Sequence, residues 1–235
     1  MWRKLWSFCS LNKKYLLSLP RSLYYNIRLL PLSQAIRLPI FFSNHVTIKL
    51  ESGGQVKLTS NKIHAGMIKI GYSQCDFFLA RHHKSILNLG KGYLIFEGRS
   101  NIGAGAKLSI DKGGSLILGD QFWSTGPILI IARRLIRLGY NCVLSWNITI
   151  IDHDAHDIFD NSGTKINEDK AVSLGDHVWL GCNSTILKGT QLSADTIVAA
   201  NSIVANKKIF SSHVILAGNP PEIKKTNVLW GRRGH

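Results

Sequence analysis

The densest group of chemically capable side chains lies in one polar stretch, IDHDAHDIFDNSGTKINEDKAVS, between Ile150 and Leu174. It sets His153 and His156 among Asp152, Asp154, Asp157, Asp160, Glu168 and Asp169. An imidazole titrates near neutrality, and a neighbouring carboxylate can fix its tautomer and support the imidazolium, so this is a general-base composition. The D-x-D and H-x-x-H spacings also suit a divalent ion, but no third and fourth ligand completes a set, and no metal is expected. Histidines of a surface loop can also be simply solvated. The stretch is rich in turn formers, which makes it a loop, and function concentrates on long loops held by a rigid scaffold.

The scaffold is legible in the residues around it. Leu174, Leu180, Ile186, Leu192, Val198 and Val204 recur six apart, a period that neither a helix nor a simple strand produces. In the run LGDHVW LGCNST ILKGTQ LSADTI VAANSI VANKKI, each unit opens on an aliphatic, and Gly175, Gly181, Ser193, Ala199 and Ala205 follow in five of the six. Val178, Ser184, Thr190, Thr196 and Ser202 hold the fifth place. This is the hexapeptide signature of a β-helix: three units make one triangular coil, and stacked coils bury what a single coil cannot. A sandwich whose strands fell into this register by accident is the competing account; sandwich strands are unevenly spaced. Upstream, Leu138, Leu144 and Ile150 form one series and Ile102 and Leu108 another, with a phase slip between them that predicts bulges or loops. The β-helix is expected from about Val46 to about Ala217.

The formal net charge of +15 points to anionic partners, whether nucleic acid, phosphorylated cofactor, acidic polysaccharide or lipid. Basic residues gather at both ends, Arg3 to Arg37 and Lys207 to Arg233, with a knot at Arg133, Arg134 and Arg137. No helix-turn-helix, zinc-finger or RRM pattern converts this charge into a nucleic-acid argument, and no nucleic-acid partner is expected. No run of 18 or more apolar residues predicts a membrane span. Cys9, Cys75, Cys142 and Cys182 lie scattered without CxxC spacing, and no cleavable signal is evident. They read as reduced thiols of a cytoplasmic protein.

Residues 1–42 interleave Trp2, Leu5, Trp6, Leu16, Leu17, Leu19, Leu23, Tyr24, Tyr25, Ile27, Leu29 and Leu30 with Arg and Lys, broken at Pro20, Pro31 and Pro39. Short amphipathic helices are predicted there, serving as a cap over the open end of the β-helix or as a peripheral contact with an anionic membrane; both can hold on different faces. The chain then divides into this segment, the β-helix over 43–217 with its loop at 151–173, and a basic tail over 218–235.

Three runs, SWNITIIDHDAHDI, then LGDHVWLGCNSTILKGTQLSADTIVAANSIVANKKI, then ILAGNPPEIKK, together resemble the hexapeptide-repeat acyltransferases. Within these the chain looks like the O-acetyltransferases that modify bacterial surface polysaccharides, in a superfamily that includes galactoside and maltose acetyltransferases. The match is specific over Leu144 to Lys225, weaker over Ile63 to Tyr140, and silent on the N-terminal segment. The resemblance implies a left-handed parallel β-helix, a homotrimer, acetyl-CoA as co-substrate and a carbohydrate acceptor. It implies a loop histidine as general base, here His156 with His153 in reserve and Asp157 beside them. Trp123, Thr125, Trp146 and Asn147 take the acceptor-binding places. Trp179, Gly181, Cys182, Ala199, Ala200 and Asn201 line the coenzyme groove, with Lys207, Lys224 and Lys225 near its phosphates. Backbone N–H groups at the coil turns would stabilise the oxyanion. The chain departs from the pattern where the lysine shifts to Lys207, a second proline follows at Pro221, and Glu222 replaces a basic residue.

Other functions fit less well. A zinc-dependent trimer of the carbonic-anhydrase kind needs three converging histidines, and His64, His82, His83 and His177 lack that motif. A non-catalytic β-helical scaffold or binding module shares the fold without the reaction. N-acetylation of an amino sugar would use the same base and thioester.

Overall fold

A computed structural model describes residues 13–231. Three short helices, α1 (Lys13–Leu17), α2 (Leu19–Leu29) and α3 (Leu32–Ala35), precede the first strand, Ile40–Phe42. Trp2 and Trp6 lie outside the described residues. From Ile40 onward the chain winds through three sheets of nine, seven and seven strands, every third strand returning to the same sheet. Each coil is therefore a triangle with one strand per side, and all pairings are parallel except the last, Ile215–Ala217 with Glu222–Lys225. The strands run past 43–217 at both ends, taking in Ile40–Phe42 and Glu222–Lys225.

The six-residue aliphatics stack as ladders inside the prism. Leu144, Leu180, Val198 and Leu216 stand in register in the first sheet; Ile150, Ile186 and Val204 in the second; Leu138, Leu174, Leu192 and Ile209 in the third. All are buried. Once a side of the coil has been turned, the next aliphatic meets its equivalent one coil away, so apolar surface is buried continuously along the axis. The upstream phase slip comes from coil length. Leu174 and Leu192 are 18 residues apart in register, Leu118 and Leu138 are 20 apart, and Phe96 and Leu118 are 22 apart. The early strands are longer, so the same ladder appears in the sequence with a longer repeat.

Corners hold the coils together. Ser184, Thr190, Thr196 and Ser202 are fully buried there; the Thr196 hydroxyl donates to the Ser193 carbonyl at 2.8 Å and Thr190 to Val204 at 3.1 Å. Gly181 is required by close approach: a Cβ on it would lie 2.7 Å from the Ala200 nitrogen of the next coil.

At the N-terminal end, Ile40–Phe42 is the terminal strand of the first sheet. Its outer edge is satisfied by α2. Asn26 accepts from the Ile40 N–H at 3.1 Å and donates to the Ile40 carbonyl at 2.7 Å, and the Ser22 hydroxyl accepts from the Phe42 N–H at 3.0 Å. An exposed sheet edge is thereby closed.

Candidate active site

The histidine-bearing loop leaves the prism after the strand Ile148–Ile151 and returns at Val172–Leu174, at the corner between the second and third sheets. Its root is fixed by Asp152, fully buried, whose two carboxylate oxygens each accept a backbone N–H, from Arg133 and Arg134, at 2.9 Å. The far limb returns with the Arg134 guanidinium donating to the Asp169 carbonyl at 2.9 Å. Between these points the loop folds into a small hairpin. The Ile166 N–H donates to the Ile158 carbonyl at 2.9 Å, and Asp160 organises the tip by accepting from the Ser162 and Thr164 N–H groups at 2.8 and 3.0 Å.

A polar clasp ties the hairpin to the coil beneath. Lys188, in the ILKG element of the following coil, pairs with the Asp154 carboxylate and donates to the Asn167 carbonyl at 3.0 Å. The Asn167 amide donates to Asp154 at 2.9 Å and to the His156 carbonyl at 2.8 Å, while its oxygen accepts from the Ile158 N–H at 2.7 Å. The Lys188 ammonium, then the Asn167 amide, hold the Asp154 carboxyl below the usual carboxylate range. Neither Lys188 nor Asn167 stands out in the sequence as a site residue; the signal was a lysine inside an otherwise small and aliphatic repeat.

The two histidines sit in different environments. His153 is 8 % exposed. Its Nδ1 accepts from the Ala155 N–H at 2.9 Å, so in the neutral ring Nε2 carries the proton, and Nε2 is buried with no hydrogen-bond partner. The lone pair of His153 is spent on holding the turn at Ala155, a non-glycine residue at φ +66°. His156 is exposed, and among the described residues no side chain or backbone group bonds its ring. Asp157 does not orient it: that carboxylate is paired with Lys165 at 2.9 Å.

The other expected site residues fall elsewhere. Thr125, Trp146, Asn147, Gly181, Cys182, Ala199, Ala200 and Asn201 gather along one corner, between the first and second sheets, with Trp123 and Trp179 on the adjoining first-sheet face. They form a column: the Asn183 N–H donates to the Trp146 carbonyl at 3.0 Å and the Asn201 N–H to the Cys182 carbonyl at 3.0 Å. The N–H groups of Asn183 and Asn201 are thus engaged between coils. The Asn147 amide donates to Asn183 at 3.1 Å, and the Trp179 indole to the Ser145 hydroxyl at 3.2 Å. Lys207 stands at the same corner as the histidine loop, exposed. Lys224 is paired with Glu222 at 2.7 Å, and Lys225 is exposed on the same strand. The carboxylate at 222 thus gives Lys224 a partner of its own.

The structure adds residues to this corner that the sequence did not suggest. A second excursion, between the strands Ile68–Tyr72 and Ser85–Leu89, emerges there and packs Phe78 against Trp146, ring centres 6.0 Å apart, and against His83 at 5.2 Å. Gly126 leaves room for it, since a Cβ would lie 2.4 Å from the Phe78 ring. At the neighbouring corner, between the third and first sheets, Trp230 of the tail stacks on His177 at 4.0 Å and lies 5.9 Å from Trp179, and Asp195 holds His177 at 2.7 Å. Among the described residues no three His, Cys, Asp or Glu side chains converge as a metal site.

One side of the triangle separates the two groups. Asn147 and Asp152 are joined by the extended strand Ile148–Ile151, a span of roughly 16 Å at the rise of a β-strand. The first-to-second-sheet corner and the root of the histidine loop therefore stand one side of the prism apart.

A triangular solenoid of hexapeptide repeats with a long polar histidine loop is the left-handed β-helix fold, the fold of solved hexapeptide-repeat acetyltransferases. No family model matches the chain. It is 36% identical over 109 residues to the polysialic acid O-acetyltransferase of Neisseria meningitidis, covering 46% of this chain and 50% of that protein. To the polysialic acid O-acetyltransferase of Escherichia coli O1:K1 / APEC it is 30% identical over 133 residues, 50% of this chain and 43% of that protein. The chain thus spans about half the length of these curated relatives. In three dimensions it is similar to the crystal structure of the polySia specific acetyltransferase NeuO, with a TM-score of 0.55 at 21% identity, covering 81% of this chain and 90% of that one. The resemblance to hexapeptide-repeat acyltransferases holds in sequence and in fold.

Proposed function

We propose that the protein is an acyl-CoA-dependent O-acyltransferase, transferring acetyl from acetyl-CoA to a sugar hydroxyl of a bacterial surface polysaccharide or its precursor, in the cytoplasm. The observation that carries this is a clasped histidine loop on a hexapeptide solenoid whose sequence relatives are polysialic acid O-acetyltransferases. His156 is the base. It is exposed, with its ring unengaged, whereas the His153 lone pair holds a turn. His156 takes the proton of the acceptor hydroxyl as its oxygen attacks the thioester carbonyl carbon. The carbon–sulfur bond breaks, and the imidazolium returns the proton to the departing thiolate, leaving an ester and free thiol. His153 is a positioning residue that shapes the approach of His156.

The working unit is a homotrimer. Reacting atoms must approach to about 3–3.5 Å, and one side of the prism, roughly 16 Å, separates the loop from the coenzyme corner. A neighbouring copy that sets its first-to-second-sheet corner against this loop brings the two together. Trp123, Thr125, Trp146 and Asn147 then hold the acceptor, and the Gly181–Cys182 and Ala199–Asn201 turns take the pantetheine arm. Trp179 flanks that groove, and Lys207, Lys224 and Lys225 supply charge for the phosphates.

The test is thiol release from acetyl-CoA with polysialic acid and a panel of bacterial glycans and amino sugars. It runs beside His156→Ala, His153→Ala and His153→Asn. Loss of roughly 10²–10⁴ in kcat is expected for His156→Ala, the ordinary worth of a general base. His153→Asn keeps a side-chain acceptor for the Ala155 N–H and should retain activity that His153→Ala loses. Full activity in His156→Ala would remove it as the base, and transfer only to amino sugars would make the protein an N-acyltransferase.

A further inference from the structure

The helical segment ahead of the solenoid is built inside out. On α2 the buried positions are polar, Ser22 and Asn26, and their side chains are spent on the edge of the strand Ile40–Phe42. The apolar positions Leu23, Tyr24 and Ile27 face outward, Ile27 with 56 % of its surface exposed. At 3.6 residues per turn these three share one face, and Arg28 and Arg21 border it. The helices on either side, which pack against α2, also expose apolar side chains: Leu17 of α1 is 72 % exposed, and Leu32 of α3 is exposed as well. A helix of a water-soluble domain ordinarily turns its apolar stripe inward, and a solenoid cap ordinarily has a polar outer face. Here Ser22 and Asn26 close the strand edge while Tyr25, Leu29 and Leu30 pack on the core, and the face of Leu23, Tyr24 and Ile27 is left uncovered.

The charge around that face has one sign. Residues 1–50 contain eight Lys and Arg (Arg3, Lys4, Lys13, Lys14, Arg21, Arg28, Arg37, Lys49) and no Asp or Glu, the first acid being Glu51. The sequence ahead of α1 continues the same composition, with Trp2, Leu5, Trp6 and Phe8 beside Arg3 and Lys4. We infer that this face docks on the surface of an anionic phospholipid bilayer, its apolar side chains among the acyl chains and its cations at headgroup phosphates. The 11 residues of α2 reach only about 16 Å, and no helix among the described residues is long and apolar enough to cross, so the segment lies in the interface. A second copy is the poorer occupant. A two-fold contact through this face would set two cationic, acid-free surfaces against each other.

The inference does not depend on the transfer reaction, and its readout is binding. The full chain is sedimented with phosphatidylcholine vesicles and with phosphatidylcholine–phosphatidylglycerol vesicles, beside a Leu17→Ser, Leu23→Ser, Ile27→Ser variant. All three side chains are exposed, so the variant should melt as wild type does. Wild type is expected to pellet with the anionic vesicles only, and the variant to bind them roughly tenfold or more weakly. Indifference of wild type to anionic vesicles would overturn the inference, as would equal binding by the variant. A variant that loses self-association by light scattering while vesicle binding is unmoved would overturn it too, and would assign the face to a second copy.

Discussion

Replacing Lys188 by methionine should open the histidine loop without disturbing the solenoid. The lysine side chain is 18 % exposed and Asp154 37 %, so the pair is partly screened. A hydrogen bond to a charged partner is worth about 1.5–3 kcal/mol when buried; screening at Asp154 reduces this to about 1 kcal/mol. The second bond, to the Asn167 carbonyl at 3.0 Å, adds about 1 kcal/mol. Together the clasp contributes about 2 kcal/mol, or roughly thirtyfold in the equilibrium between closed and open loop. Methionine preserves much of the aliphatic stem, so the coil keeps its packing.

Amide hydrogen exchange reads this directly. The Ile158 and Ile166 amides, bonded within the hairpin at 2.7 and 2.9 Å, should lose roughly thirtyfold in protection. Those of Trp179 and Thr185, bonded between coils at 3.0 and 2.9 Å, should not change. Acid should mimic the substitution. Asp154 has a folded-state pKa held below its ordinary 3.8, chiefly by Lys188, so its contribution is complete above that value and is lost as pH falls through the depressed one. Wild-type loop protection should hold down to the ordinary carboxylate range and fail below it, and the Lys188→Met loop should start from its lower protection, with Asp154 titrating closer to its ordinary value. Unchanged protection at Ile158 and Ile166 in the variant would refute the clasp. Loss at Trp179 and Thr185 as well would show that Lys188 supports the coil rather than the loop.

Two further substitutions address the scaffold and the opposite corner. Gly126→Ala places a Cβ 2.4 Å from the Phe78 ring and should push that ring off Trp146; a shifted Trp146 fluorescence and a raised KM for the acceptor are expected, and adding Phe78→Ala should recover the lost thermal stability. Ile186→Ala empties a fully buried rung between Ile150 and Val204 and should cost about 2–5 kcal/mol in denaturant unfolding, while Leu187→Ala, half-exposed on the outer face, should cost less.

The fold was legible because the solenoid repeats one physical requirement: each side of each coil must deliver an aliphatic to the same interior ladder. Leu174 to Val204 keep that requirement at the shortest coil length, so the period appears unblemished there. It blurs upstream only because strands such as Ile128–Ala132 are longer. The loop was legible for the complementary reason, as the place where the aliphatic fails to arrive. The clasp was not, because Lys188 occupies an outward position on which the ladder places no demand, and its partners lie 34 and 21 residues away. The reversed face of α2 was hidden in a similar way. Its amphipathic pattern is plain, but only the bonds from Ser22 and Asn26 to the strand edge reveal which face points in.

The corners explain why charge and chemistry divide as they do. A parallel coil commits its strands to the ladders and to their neighbours' backbones, so side chains free to bind must come from the strand exteriors and the turns. Successive turns at one corner stack into a column, as Asn147, Asn183 and Asn201 do, each at positive φ and each donating its N–H to the coil before. A column of that kind is a continuous groove wall, suited to an extended arm such as pantetheine, but it is too regular to carry a base. A base needs a departure from the repeat, and the excursion that carries His156, the proposed base, leaves at another corner. In the proposed reaction, the long co-substrate and the single proton-transfer group would therefore draw on different parts of the prism. In the proposed trimer a contact between copies would unite them, since neither the column nor the loop could move to the other's corner without breaking a ladder.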